Sequence, residues 1–149
     1  MKILVVLCGL PGAGKSTIAS LFKGAFIINA DKFRIKDGKY RYRAKENTKI
    51  FEKCEEAFFK AIKQNRKLIV SDNTNTSLPN IIPYERYAEE NGYIVIKLFV
   101  ACTVADSKKR RPRVPLKTIK SMHEWVKSHF NYATTINSSY VQNIDTNSN

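Results

Sequence analysis

The sequence predicts an α/β fold: a parallel sheet of four or five strands covered by helices on both faces. Three observations lead there. Short apolar runs alternate with amphipathic helical stretches along most of the 149 residues, the order that winds a parallel sheet. The first run, KILVVLC at 2–8, is apolar at every position after Lys2, as a strand buried on both faces requires. No internal repeat or composition break marks a second domain. One core of ordinary size is therefore expected over 1–130, followed by a C-terminal segment, 131–149, whose Asn- and Ser-rich end is expected to be disordered.

The elements follow in order. After the first strand come glycines, then STIASLFKG at 16–24, with Ile18, Leu21 and Phe22 at helical spacing and Gly24 as the stop. AFIIN at 25–29 is a second strand. DKFRIKDGKYRYR at 31–43 is polar and basic, with a turn signal at Asp37-Gly38. The clearest helix is 44–67, whose apolar stripe runs Ile50, Phe51, Cys54, Phe58, Ala61 and Ile62 with charges between. LIVSD at 68–72 is a third strand, followed by the polar turn NTNTSLPN. A helix over 81–91 ends before Gly92, and YIVIKLFVAC at 93–102 is a fourth strand. Residues 103–115 begin as a short helix, pass through a basic run and end in a Pro-bounded loop. The helix over 116–130 shows Leu116, Ile119, Met122 or His123, Val126 and Phe130 on one face. SYVQNI at 139–144 offers a further strand or helical turn.

Composition narrows the classes. No apolar run approaches the about 20 residues of a membrane span. The N-terminal run has no small-residue cleavage site and leads straight into glycines, so it reads as a strand rather than a leader. The expected setting is intracellular, the cytoplasm or the nucleus. Cys8, Cys54 and Cys102 lack metal-ligand spacing and read as core thiols in a reducing compartment, the alternative being a reactive Cys8. The net charge of +13 draws polyanions and speeds their encounter, although the Lys and Asn bias of an AT-rich coding sequence gives the same composition.

GLPGAGKST at 9–17 fits the phosphate-loop pattern G-x-x-x-x-G-K-[ST]. Gly9, Gly12 and Gly14 let backbone N–H groups turn inward around a β-phosphate, with Leu10, Pro11 and Ala13 completing the loop. The following helix adds its free N-terminal donors. Lys15 brings a compact positive charge to the β- and γ-phosphates, Ser16 a hydroxyl to Mg²⁺, and Thr17 a cap or an α-phosphate contact. A dinucleotide fingerprint would need glycine where Thr17 stands. The expected ligands are a nucleoside triphosphate, ATP with GTP as the alternative, and Mg²⁺.

In a parallel sheet the strand C-termini share one edge. That edge gathers the loop, Asp31, Asp72 and the residues after Cys102. Asp31 suits a carboxylate that orients an acceptor hydroxyl and takes its proton, or one that caps a helix start. Asp72 either supports Mg²⁺, through a water or by holding Ser16, or belongs to the turn.

GLPGAGKST, NADKFR, SDNTN and KKRRPRVPLKTIKSM, in this order over about residues 3–130, resemble the kinase module of the polynucleotide 5′-hydroxyl kinase family, phage and animal kinase-like domains included. The D-G-x-Y stretch at 37–40 is similar to one in the animal domains. The resemblance implies a P-loop kinase three-layer sandwich with a basic lid. It implies Asp31 as general base, Arg34 as holder of the acceptor's phosphate, and Asn73, Thr74 and Asn75 beside the acceptor nucleotide. Lys32 stands where the family's box has a second acidic residue. KKRRPR at 108–113 would be the lid, bringing Arg110, Arg111 or Arg113 to the transferring phosphoryl group. Its rivals are a nuclear-localisation or nonspecific nucleic-acid patch and a solvated helix end. Residues 32–45 interleave cations with Phe33, Tyr40 and Tyr42, a single-strand-binding mixture unless the aromatics pack on the core. The expected activity is ATP- and Mg²⁺-dependent transfer to the 5′-hydroxyl of DNA or RNA, in nucleic-acid repair. The alternatives are a toxin-like kinase of a small molecule or sugar nucleotide, and an ATP-binding adaptor with little turnover.

Overall fold

A computed structural model of the chain describes residues 1–75, 78–129 and 135–137. The elements are β1 (Lys2–Cys8), α1 (Lys15–Leu21), β2 (Phe26–Ile28), a 3₁₀ turn (Ala30–Arg34), and the hairpin strands β3 (Ile35–Lys36) and β4 (Lys39–Tyr40). A second 3₁₀ turn (Ala44–Glu46) leads into α2 (Asn47–Lys63), then β5 (Leu68–Asp72), α3 (Leu78–Glu90) and β6 (Tyr93–Ala101). Last come α4 (Val104–Arg110), α5 (Leu116–His129) and β7 (Thr135–Asn137). The main sheet runs β2-β5-β1-β6-β7, with every pair parallel. This is the predicted helix-covered parallel sheet, with all strand C-termini at one edge.

The period of β1 explains the two layers. Leu4, Val6 and Cys8 face a core shared with Ile50, Cys54, Phe58, Ala61 and Ile62 of α2 and with Ala88 of α3. Val5 and Leu7 face the opposite core, with Ile18 and Ala19 of α1 and Ile119 of α5. Successive side chains of a strand alternate in this way, and each fully buried aliphatic contributes about 1.5–3 kcal/mol. Edge-to-face rings join α2 to α3: Phe58 on Tyr84 at 4.8 Å and Phe59 on Tyr87 at 4.7 Å.

Several boundaries differ from the sequence reading. Phe51 is 43% exposed, although its helical spacing places it between Phe58 and Ile62 on the buried face. Leu116 also faces outward at the start of α5, while Ile119 and Val126 are buried. α3 begins at Leu78, earlier than 81, since a proline is tolerated in a first helical turn. A short strand stands at Thr135–Asn137, beside β6; Phe130 and SYVQNI lie outside the described residues. The three thiols are free and buried. Burial pushes Cys8 up to about 12, which leaves it protonated and unreactive at neutral pH. No helix among the described residues is long and apolar enough to cross a membrane.

Candidate active site

The phosphate loop is wedged between the neighbours of β1. The Gly9 N–H donates to the Thr74 carbonyl at 3.0 Å, and a Cβ at Gly9 would lie 2.7 Å from the Val100 carbonyl oxygen, so no side chain fits there. Gly14, at φ 103°, opens α1 without a side-chain cap. Lys15 is buried, and its Nζ donates to the carbonyls of Gly9 (2.9 Å) and Leu10 (2.8 Å). Burial pulls the Lys15 pKa down to about 8, against the opposing pull of the Asp72 charge. Ser16 is exposed and Thr17 half-buried.

The ends of β2 and β5 are stitched together by asparagines. Asn29 Nδ2 donates to Oδ2 of the buried Asp72 (2.8 Å), and Asn29 Oδ1 accepts the Asp31 N–H (2.7 Å). Asn73 Oδ1 accepts the Ala30 N–H at 2.9 Å. Asn75 is buried in the left-handed region, and its amide donates to the carbonyls of Leu7 (2.7 Å) and Asn73 (3.1 Å). The side chains of Asn73 and Asn75 thus fix the turn, while Thr74 lends its carbonyl to Gly9.

Past β2, the Asp31 carboxylate is 67% exposed and lies 3.6 Å from Arg34 Nε. Its Oδ1 accepts a hydrogen bond from the Tyr40 hydroxyl at 3.2 Å. Burial first, and then Asp31, raise the Tyr40 pKa, so the phenol stays a donor. Arg34 is buried, and its Nη2 donates to Asn47 Oδ1 (2.8 Å) while its guanidinium lies 4.7 Å from the centre of the Tyr42 ring. Among the described residues, Arg34 Nη1 is buried with no hydrogen-bond partner. An unspent donor on a buried cation is an opening for an anionic oxygen.

The basic run is in contact with the loop. Thr103 Oγ1 caps α4 by accepting the Asp106 N–H at 3.0 Å. Ser107, fully buried, donates through Oγ to the Pro11 carbonyl at 2.7 Å. Arg110 Nη1 donates to the Gly12 carbonyl at 3.1 Å, and a Cβ at Gly12 would lie 3.0 Å from Arg110 Cβ. Lys108 is turned onto its own loop, donating to the carbonyls of Pro112 and Val114. Arg111 and Arg113 are exposed.

Sequence reasoning did not single out Asn47 or Ser107; it named Tyr40 only as an aromatic of the basic stretch 32–45 and gave Asn29 no role of its own. Asn29 had a signal, a capping residue two places before Asp31. Asn47 and Ser107 had none, because their partners lie 13 and 96 residues away. For a metal, Ser16 and Asp72 offer hard oxygen donors. Mg²⁺ is typically held by one or two carboxylates together with substrate phosphates, so this donor set fits it.

A model of the AAA domain family matches residues 4–129, a span that holds the loop, Asp31, Asp72 and α4. A protein of Autographa californica nuclear polyhedrosis virus, named as a bifunctional polynucleotide kinase/RNA ligase, is 29% identical over 143 residues, covering 83% of this chain and 20% of its own length. The chain thus spans about a fifth of that relative. A chain of the Pnkp1/Rnl/Hen1 RNA repair complex has a similar fold, with a TM-score of 0.69 at 23% identity over 88% of this chain and 47% of that one. The Deinococcus radiodurans tunicamycin resistance protein is similar in fold at a TM-score of 0.60 and 12% identity, over 99% of this chain and 96% of that one. Loop, sheet order and family match agree: the chain belongs to the AAA domain family, in the α/β fold of the P-loop kinases.

Proposed function

We propose that this domain transfers the γ-phosphoryl group of ATP to the 5′-hydroxyl of a nucleic acid. One observation carries the reading: an exposed carboxylate, Asp31, stands beside a buried guanidinium, Arg34, with an unspent Nη1. A phosphate loop alone serves hydrolysis as well as transfer. An anion seat beside an exposed carboxylate is what a phosphate-bearing acceptor needs. The name of the viral relative supports nucleic acid as the acceptor class, and the three buried free thiols support an intracellular setting.

The loop amides and Lys15 hold the β- and γ-phosphates, with Lys15 exchanging the Gly9 and Leu10 carbonyls for phosphate oxygens. Arg34 Nη1 donates to a phosphate of the acceptor, and Asn73 and Thr74 border it. Asp31, steadied by Tyr40, takes the proton of the 5′-hydroxyl as the new O–P bond forms. The bond from the γ-phosphorus to the β–γ bridging oxygen breaks, and ADP leaves. Arg110, Arg111 or Arg113 offsets the charge gathering on that oxygen. Mg²⁺, when held by Ser16 and Asp72, supplies further charge neutralisation at the phosphates.

The test is label transfer from γ-labelled ATP with Mg²⁺ to separate panels of 5′-hydroxyl oligonucleotides, nucleosides and sugars. Label on the oligonucleotides is expected. Label confined to a small acceptor overturns the reading, and ATP binding without any transfer favours the adaptor. Asp31→Asn should lower kcat about 10²–10⁴-fold with ATP affinity kept, and Arg34→Gln should raise the acceptor KM. Full activity of Asp31→Asn removes that residue from the mechanism.

A further inference from the structure

A second cationic feature begins beside Arg34 and has no part in the transfer step. A groove of ≈ 340 Å³ lies between the hairpin side and the start of α2, lined by Lys36, Lys45, Lys49 and Lys53, with Phe33 and one carboxylate, Glu46. Lys45, Lys49 and Lys53 recur every four residues, so they share one face of α2 and the turn before it. At 1.5 Å per residue the row spans ~12 Å, which faces about three or four phosphates of a stacked strand. Lys36 pairs with Glu46 at 3.2 Å, so one of the four positive charges is offset. Among the described residues the other three lysines form no ion pair, and all three are exposed. The Lys53 ammonium sits 5.8 Å from the centre of the Phe33 ring.

Like charges four apart disfavour a helix, a cost that a bound polyanion removes. The row also starts in the right place. Glu46 lines the groove, and the next residue, Asn47, holds Arg34 at 2.8 Å.

We propose that the row Lys45, Lys49, Lys53 is a track for the phosphodiester backbone of the acceptor strand, holding the nucleotides that follow the one seated at Arg34. This rests on the nucleic-acid reading above and adds that the acceptor is an extended strand, bound better as it lengthens. The shared chemistry is a chain of phosphodiesters, so DNA and RNA are tested separately.

The experiment measures binding of fluorescent DNA and RNA strands, from dinucleotide to dodecamer, by anisotropy without ATP, with label transfer run in parallel. The wild-type chain should prefer the dodecamer to the dinucleotide. In Lys49→Gln/Lys53→Gln that preference should fall roughly tenfold, and the plot of log affinity against log salt should become shallower by about 0.7 per lysine. Lys60→Gln/Lys63→Gln, the same charge change at the far end of α2, should keep the wild-type preference. An unchanged preference and slope in the first variant overturns the track. An equal loss in the second also overturns it, by assigning the effect to net charge. Length-dependent binding that responds to Lys49 and Lys53, with no transfer to any strand, supports the track and refutes the kinase reading.

Discussion

Lys15 shows how one buried charge ties the loop to pH. Burial holds its pKa at about 8 in the nucleotide-free domain, and a bound polyphosphate favours the charged form. Below that pH the ammonium is already present, and affinity should be flat. Above it, binding must take up a proton, so ATP affinity should fall by up to about tenfold per pH unit. Calorimetric ATP titrations in buffers of different ionisation enthalpy read both the affinity and the proton. A flat affinity two units above neutrality refutes the assignment. The phosphate loop itself was legible in the sequence, because glycines, lysine and hydroxyl stand in one contiguous pattern. The packing around Arg34 was not: Asn47 comes from another element, and Tyr42 stacks on the guanidinium only once the hairpin has folded back.

α4 has seven residues, too few to persist alone. Its place depends on the Thr103 cap and on the bonds from Ser107 and Arg110 to the Pro11 and Gly12 carbonyls. Ser107→Ala leaves the Pro11 carbonyl without its donor and should cost about 1–3 kcal/mol, with weaker nucleotide binding as α4 loosens from the loop. Urea unfolding with and without ATP checks this, and an unchanged midpoint in both would mean that the bond holds nothing in place. At this scale the sequence was most informative where structure is local. β1 and β5 are apolar runs, and α2 carries a 3.6-residue stripe that is buried apart from Phe51. The clamp of α4 on the loop joins residues 96 apart, beyond the reach of any local pattern.

For the whole molecule, the net charge of +13 separates two origins of a basic chain. If strands are held through phosphates, raising salt from ~50 to ~200 mM should weaken dodecamer binding by more than about tenfold, mostly by slowing association. Stopped-flow association rates measure this, and salt-independent binding would reduce the charge to a compositional accident. The charge was plain in the sequence. Its arrangement was not, because the groove beside the lysine row depends on how the hairpin side and α2 pack. The sheet order has one more consequence. The donor loop leaves β1, which is paired along both sides. Asp31, Arg34 and the hairpin leave β2, a strand of three residues at the sheet margin that pairs with β5. Exchanging residues 29–46 therefore interrupts no ladder of the main sheet, and the strand it follows pairs, among the described residues, with β5 alone, whereas the phosphate loop follows a strand held on both sides. On the proposed function, a nucleotide-holding chassis with its acceptor parts on a peripheral cassette can be refitted to new substrates, by descent or by design, without rebuilding its centre.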